Sequence, residues 1–284
     1  MAAIAFALGS SLLWGFSDYL GGFKSRTYAV PVVLAAMYLA SLIVMLVFVS
    51  ARGEGPPSAS YVFAGLGAGL VGIMALGAFY TALSIGTMSI VAPISATGVA
   101  LPVIVGLIGG DEPGALRSCG LALAVIGIVL ASREAPGGPI GVREQRRSIG
   151  LAILAGLGFG SYFVLAGYGS EGDVAWTLLL SRMAGFPVVA LVALLALRRA
   201  GAVRPGRGAV AALAGIGLLD LGANALYNHA STIGELSSVA VASSLYPVVT
   251  VMLAAILLGE RVQGVQRVGV VVALAGVVMI AAGG

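Results

Sequence analysis

Arg182 and Asp220 sit deep inside long apolar stretches, where a charge needs a reason. Asp220 lies 13 residues after Arg207 and 15 before Glu235, and Arg182 lies nine after Asp173 and sixteen before Arg198. At 1.5 Å per helical residue, Asp220 is ~20 Å from either end of its stretch and Arg182 ~13 Å from the nearer end. Asp18 is a third such group, six residues before Lys24. Inside hydrocarbon each ionisable side chain costs at least ~2.5–3.5 kcal/mol. Asp220 also has company, because Asp220, Asn224, Tyr227 and Asn228 follow i, i+4, i+7, i+8 and share one helical face. Ser11, Trp14 and Asp18 make a similar stripe, as do Gly77, Tyr80 and Ser84.

The chemistry open to these groups is specific. A guanidinium at Arg182 binds a substrate carboxylate, while Asp220 or Asp18 takes an ammonium group or a proton. Alternatively, Arg182 and Asp220 neutralise one another as a buried ion pair. With two aspartates to one arginine, one carboxylate lacks a cation from within the spans. That makes Asp18 and Asp220 the candidates for coupling, since a bound proton or cation relieves the cost of an unpaired carboxylate. Asp18 has a second reading, as the partner of Lys24 or Arg26. His229, the sole histidine, reads as a hydrogen-bonded residue near a helix end, with a proton relay as the second option.

The elements that must hold these residues follow from composition. Of 284 residues 60% are apolar and 9% charged, against about 25% charged in a soluble domain. This excludes a soluble enzyme, disorder, collagen and a disulfide scaffold. The lone Cys119 has no partner. The net charge of +4 reads as membrane topology and not as nucleic-acid binding, because the basic residues punctuate apolar runs. A helix needs ~20 apolar residues to cross ~30 Å of hydrocarbon. Ten runs meet this approximately: 2–23, 28–50, 61–83, 88–109, 115–132, 148–169, 174–198, 208–232, 236–258 and 264–283. The first has no basic leader before it and is read as a retained helix. The expected fold is an all-α integral membrane protein of ten transmembrane helices.

Shifting the chain by 148 residues lays Ile85-Gly86-Thr87-Met88-Ser89 over Ile233-Gly234-Glu235-Leu236-Ser237, and Glu112 over Glu260. Each half then holds five spans, and an odd number inverts the second copy. The expectation is two inverted five-helix repeats, 1–132 and 148–284, joined by a basic linker, 133–147. Inverted repeats build many secondary transporters, with the site between them near the midplane. Two spans are interrupted at matching places. Pro93, Pro102 and Ser95-Ala96-Thr97-Gly98 break one; Ser243-Ser244-Leu245-Tyr246-Pro247 breaks the other. Proline removes a donor and frees carbonyls, and matched interruptions point to a site. Glu112 and Glu260 read as helix-start residues that fix loops. Loops after odd spans carry twelve Lys and Arg, those after even spans two, which by itself puts both termini outside.

Leu12-Leu13-Trp14-Gly15, Ala82-Leu83-Ser84-Ile85-Gly86 and Leu258-Gly259-Glu260-Arg261-Val262 resemble the EamA family of the drug/metabolite transporter superfamily. The resemblance covers the whole chain in length, span number and repeat. The first half departs from it at Asp111, where the second half has Gly259. It implies a ten-helix carrier that exports metabolites such as amino acids, with both termini in the cytoplasm, opposite to the charge count.

The combined reading is a multi-pass secondary transporter of the cytoplasmic membrane, monomer or homodimer. It exports amino acids or other small amphipathic metabolites by alternating access, with a proton as the candidate coupling ion. Trp14, Tyr80, Tyr227 and Tyr246 supply apolar walls; Arg182, Asp220, Asn224 and Asn228 orient a head group; Ser95 and Thr97 lie at the first interruption. A proton-coupled exporter of lipophilic cations is the nearest rival, using Asp18 or Asp220 without Arg182. An intramembrane enzyme would need a nucleophile and base or a metal trio, and a passive channel would show flux without saturation. No motif for a cofactor, metal, nucleotide or nucleic acid is present.

Overall fold

The structure, a computed structural model, describes residues 2–110, 114–131, 141–199, 203–259 and 264–282. Asp111, Glu112, Glu260 and Arg261, like most of the 133–147 linker, lie outside the described residues. The described chain is helical throughout: α1 (Ala2–Lys24), α2 (Val30–Arg52), α3 (Ala59–Ile85), α4 (Met88–Ala96), α5 (Ala100–Ile108) and α6 (Ala115–Ala131), then α7 (Val142–Gly172), α8 (Val174–Leu197), α9 (Arg207–Ile233), α10 (Leu236–Ser243), α11 (Tyr246–Leu257) and α12 (Gly264–Ala282). Hydrocarbon dictates this, because each backbone N–H and C=O must find its partner within the segment.

Eight spans among the described residues are long and apolar enough to cross a membrane, with α4–α5 and α10–α11 each counting as one. The remaining two helices, α6 and α12, are 17 and 19 residues long and pack against each other. Both expected interruptions are present. A 3₁₀ turn at Thr97–Val99 separates α4 from α5, and α10 ends at Ser243 before α11 restarts at Tyr246 with Pro247 in its first turn.

The helices pair across the sequence. α3 runs along α7 and α8, α1 against α9 and α11, α2 against α8 and α9, and α4 against α7 and α11. Lipid tails are as apolar as leucine, so close approach and dispersion hold such pairs together, and small residues make that approach. A Cβ at Gly69 would collide with the backbone of Ser181, and one at Gly98 with the backbone of Gly156. Large apolar side chains cover the outside as well as filling the core. Phe63, Met74, Ile108 and Ile256 are 70% or more exposed, as lipid contact requires.

One face carries a polar clasp. Arg52, last residue of α2, donates to both carboxylate oxygens of Asp173, at 3.1 Å and 2.8 Å, and also pairs with Glu54. Asp173 is the N-cap of α8, accepting from the Trp176 amide at 2.8 Å. Partial burial pushes its carboxyl up, but hydrogen bonds from Arg52 and the Trp176 amide outweigh this and hold it below the usual carboxylate value. A lowered carboxyl stabilises the fold at neutral pH and loses that contribution as pH falls through the lowered value.

Two outcomes follow for the fold. Gly69→Ala should reduce the yield of monodisperse protein in detergent and lower its melting temperature. Gly67→Ala should be tolerated, since its Cβ would meet only Leu165 at 3.5 Å. Asp173→Ala, which loses cap and ion pair together, should cost about 1–2 kcal/mol at neutral pH. That deficit should shrink on acidification below the carboxylate range, as followed by thermal unfolding at stepped pH.

Candidate functional site

Seven helices converge on a cavity with about 480 Å³ of space not filled by protein atoms, the part open to solvent included. Its polar lining is Asp18 of α1, Arg182 of α8 and Asp220 and Asn224 of α9; its aromatic lining is Trp14, Tyr38, Phe159, Tyr162, Phe163 and Tyr246. Gly72 and Leu76 of α3 complete the wall.

The charged centre is built as a chain of contacts. Nη2 of Arg182 donates to Oδ2 of Asp220 at 2.8 Å, both side chains being under a tenth exposed. The guanidinium carbon stands 4.6 Å from the centre of the Tyr38 ring, a cation–π contact. Asn224 donates from Nδ2 to the backbone carbonyl of Asp220 at 2.6 Å, and Tyr162 donates to Oδ1 of Asn224. Nε of Arg182 is buried without a partner among the described residues. Of the two readings open for Arg182 and Asp220, the structure therefore has them paired.

Asp18 stands apart. It is buried at 5% exposure and lines the cavity, and the charge that acts on it is Asp220, of like sign. It does not pair with Lys24 or Arg26. The reason is direction: Asp18 turns inward on α1, into the cavity, whereas the basic residues gather at the end of the helix.

The other expected site residues lie behind or beside the wall. Tyr227 is fully buried, donates to the carbonyl of Phe163 at 2.9 Å, and packs its ring 5.8 Å from Trp14 and 4.7 Å from Phe163. Ser95 and Tyr246 share a hydrogen bond of 2.9 Å that ties α4 to α11. Thr97 bonds its own turn, to the carbonyl of Ile94 at 2.8 Å. Tyr80 donates to the carbonyl of Ser17 at 3.3 Å and fills the space above Gly21. Asn228 is fully buried, and neither polar atom of its amide finds a partner among the described residues. His229 is exposed, its ring edge-on to Phe6 at 4.9 Å, so it takes no part in the cavity.

Tyr38, Tyr162, Phe159, Phe163, Gly72 and Leu76 escaped the sequence reading. A usable signal existed for three of them. The offset of 148 residues that relates the two halves carries Trp14 onto Tyr162, Gly72 onto Asp220 and Leu76 onto Asn224. At the Asp220 level one half thus offers a carboxylate and the other a bare glycine, above which the Tyr162 ring rests 3.0 Å from where a Cβ would be. Among the described residues no group of His, Cys, Asp and Glu is placed to hold a metal.

Residues 146–282 match the EamA-like transporter family. The second half of the chain is an EamA-like transporter domain. No curated protein matches the sequence. A solved crystal structure, described only as that of a protein, is 17% identical with a TM-score of 0.69; the likeness covers 98% of this chain and 95% of the other. At that identity it speaks for the fold, and it extends the fold over the half that precedes the EamA-like domain. The protein is accordingly a multi-pass membrane protein whose second half matches a transporter family.

Arg182→Ala would leave Asp220 buried, charged and alone, at a cost of about 3–5 kcal/mol. The double variant Arg182→Gln, Asp220→Asn should recover most of that loss. Unfolding in detergent, followed by the fluorescence of Trp14 and Trp176, measures both.

Proposed function

We propose that the protein is a secondary transporter that works by alternating access between two inverted five-helix repeats, 1–132 and 148–284. The reading is supported by correspondences at the one offset. α3 and α9 are both 27 residues long and start 148 residues apart, and the break at Thr97 has its counterpart at Leu245. Contacts swap in the same way: α1 with α9 answers α7 with α3, and α4 with α7 answers α10 with α1. α2 with α8 and α6 with α12 answer themselves, as pairs on a two-fold axis do. A cavity lined by counterpart positions is where a carrier of this design binds its cargo.

The substrate class follows from the lining, and the observation that carries it is an ion pair and an unpaired carboxylate inside an aromatic cage. The cargo is a small amphipathic metabolite, an amino acid with an aromatic or other apolar side chain being the best fit. Its ammonium group goes to Asp18 and its apolar part to Trp14, Phe163 and Tyr246. Its carboxylate competes with Asp220 for Arg182, whose unpartnered Nε is a ready donor, and a proton on the released Asp220 keeps the charge balanced. Export across the cytoplasmic membrane completes the proposal. A second reading, export of lipophilic cations, is favoured by the engagement of Arg182 with Asp220, which leaves Asp18 as the group without a cation.

Counterflow in proteoliposomes loaded with single amino acids, alongside a quaternary-ammonium dye, decides between them. Saturable exchange of an amino acid should disappear in the Arg182→Gln, Asp220→Asn double variant and fall at least about tenfold in Asp18→Asn, the loss of one charge-assisted contact. Dye exchange that survives the double variant but not Asp18→Asn would move the protein to the cation exporters. Flux without saturation or competition would reject a carrier altogether.

A further inference from the structure

The Arg52–Asp173 clasp joins the two halves at the face that bears the α2–α3 and α7–α8 loops. Arg52 ends α2 in the first half, and Asp173 is the single residue between α7 and α8 in the second. The indole N–H of Trp176 adds a bond to the carbonyl of Glu54 at 3.2 Å, again across the halves. A Cβ at Gly172 would strike the ring of Tyr61 and one at Gly234 the side chain of Ala3, while at the opposite face one at Gly86 would strike Ser148, so close packing is common to both faces and the ion pair is what marks this one. The offset of 148 residues carries Arg52 onto Ala200 and Asp173 onto Ser25, so the sequence does not repeat this charge pair. The α2–α8 seam that the clasp ends is also the one that holds Tyr38 over Arg182 in the cavity.

We infer that Arg52–Asp173 is a latch that holds shut the face bearing the α2–α3 and α7–α8 loops and so biases the carrier towards states in which that face is closed. The inference rests on the alternating-access reading: halves that separate at a face must break whatever bridges them there. The pair suits a reversible catch, because both side chains are only partly buried, at 28% and 21% exposure. Water can reach both groups as they part, which keeps the cost of breaking the pair small.

Spin labels on Gly55→Cys and Glu171→Cys, in the full chain with Cys119→Ser, report the width of that face by pulsed electron resonance in proteoliposomes. Gly55 is exposed and a Cβ there would meet nothing within 4 Å. Arg52→Gln and Asp173→Asn, the latter keeping a cap for α8, should each raise the long-distance population about two- to fivefold, the scale of a partly exposed ion pair. The double variant should add nothing beyond either single change. Raising salt from ~0.05 M to ~1 M should widen the unmutated face in the same direction, since screening weakens exposed pairs; this arm needs no variant to fold. Distance distributions that superimpose across variants and salt would overturn the latch. If counterflow remained saturable in that case, the carrier reading would stand without it. Additive effects of the two substitutions would overturn it as well, by showing that the residues act separately.

Discussion

A guanidinium in hydrocarbon has nowhere to put its charge except on another part of the protein, and that constraint organises this molecule. Arg182 resolves it by pairing with Asp220 and lying over Tyr38. Three helices, α2, α8 and α9, are thereby fixed in depth and rotation relative to each other. Asn224 and Tyr162 extend the network to α7. Replacing any member leaves a polar group without a partner in a medium that cannot hydrate it. The cavity is the space this network leaves beside α1 and α3.

The scaffold and the chemistry differ in their symmetry. Helix lengths, interruptions and contacts correspond across the offset of 148 residues, yet the groups that bind do not. Asp220 faces Gly72, Asn224 faces Leu76, and Arg182 has Leu34 as its counterpart. One half supplies charge and hydrogen bonds; the other supplies room and apolar wall. In the proposed alternating-access cycle the matched backbones serve a motion that exchanges the roles of the halves, and the unmatched side chains confine the charge to a single polar centre. The Arg52–Asp173 clasp repeats the theme at the surface, with Ser25 and Ala200 at the matching positions.

Much of the site was legible from spacing alone. Charges at Asp18, Arg182 and Asp220, far from any loop, have to face a cavity or a partner, and the i, i+4 step from Asp220 to Asn224 put both on the cavity wall. Tyr227 and Asn228 of the same stripe are buried but do not line this cavity. Rotation does not separate them, since i+7 returns to within ~20° of i; about 10–12 Å along the helix axis does, and carries them past the cavity. Tyr162, Phe159 and Phe163 gave no polar periodicity of their own in α7, and an aromatic in a membrane span looks the same facing lipid, core or cavity.

The sequence by itself determined that the chain crosses a membrane as apolar helices, that its halves correspond, and where two helices must break. These are local consequences of hydropathy, proline and the need to satisfy the backbone within each segment. Tertiary structure decided which charge found which. The 38 residues between Arg182 and Asp220 and the 121 between Arg52 and Asp173 are bridged by the packing of glycine-lined helices, whose depth and rotation no periodicity specifies. For the same reason only the packed helices could leave Asp18 in the cavity with a like charge for its neighbour.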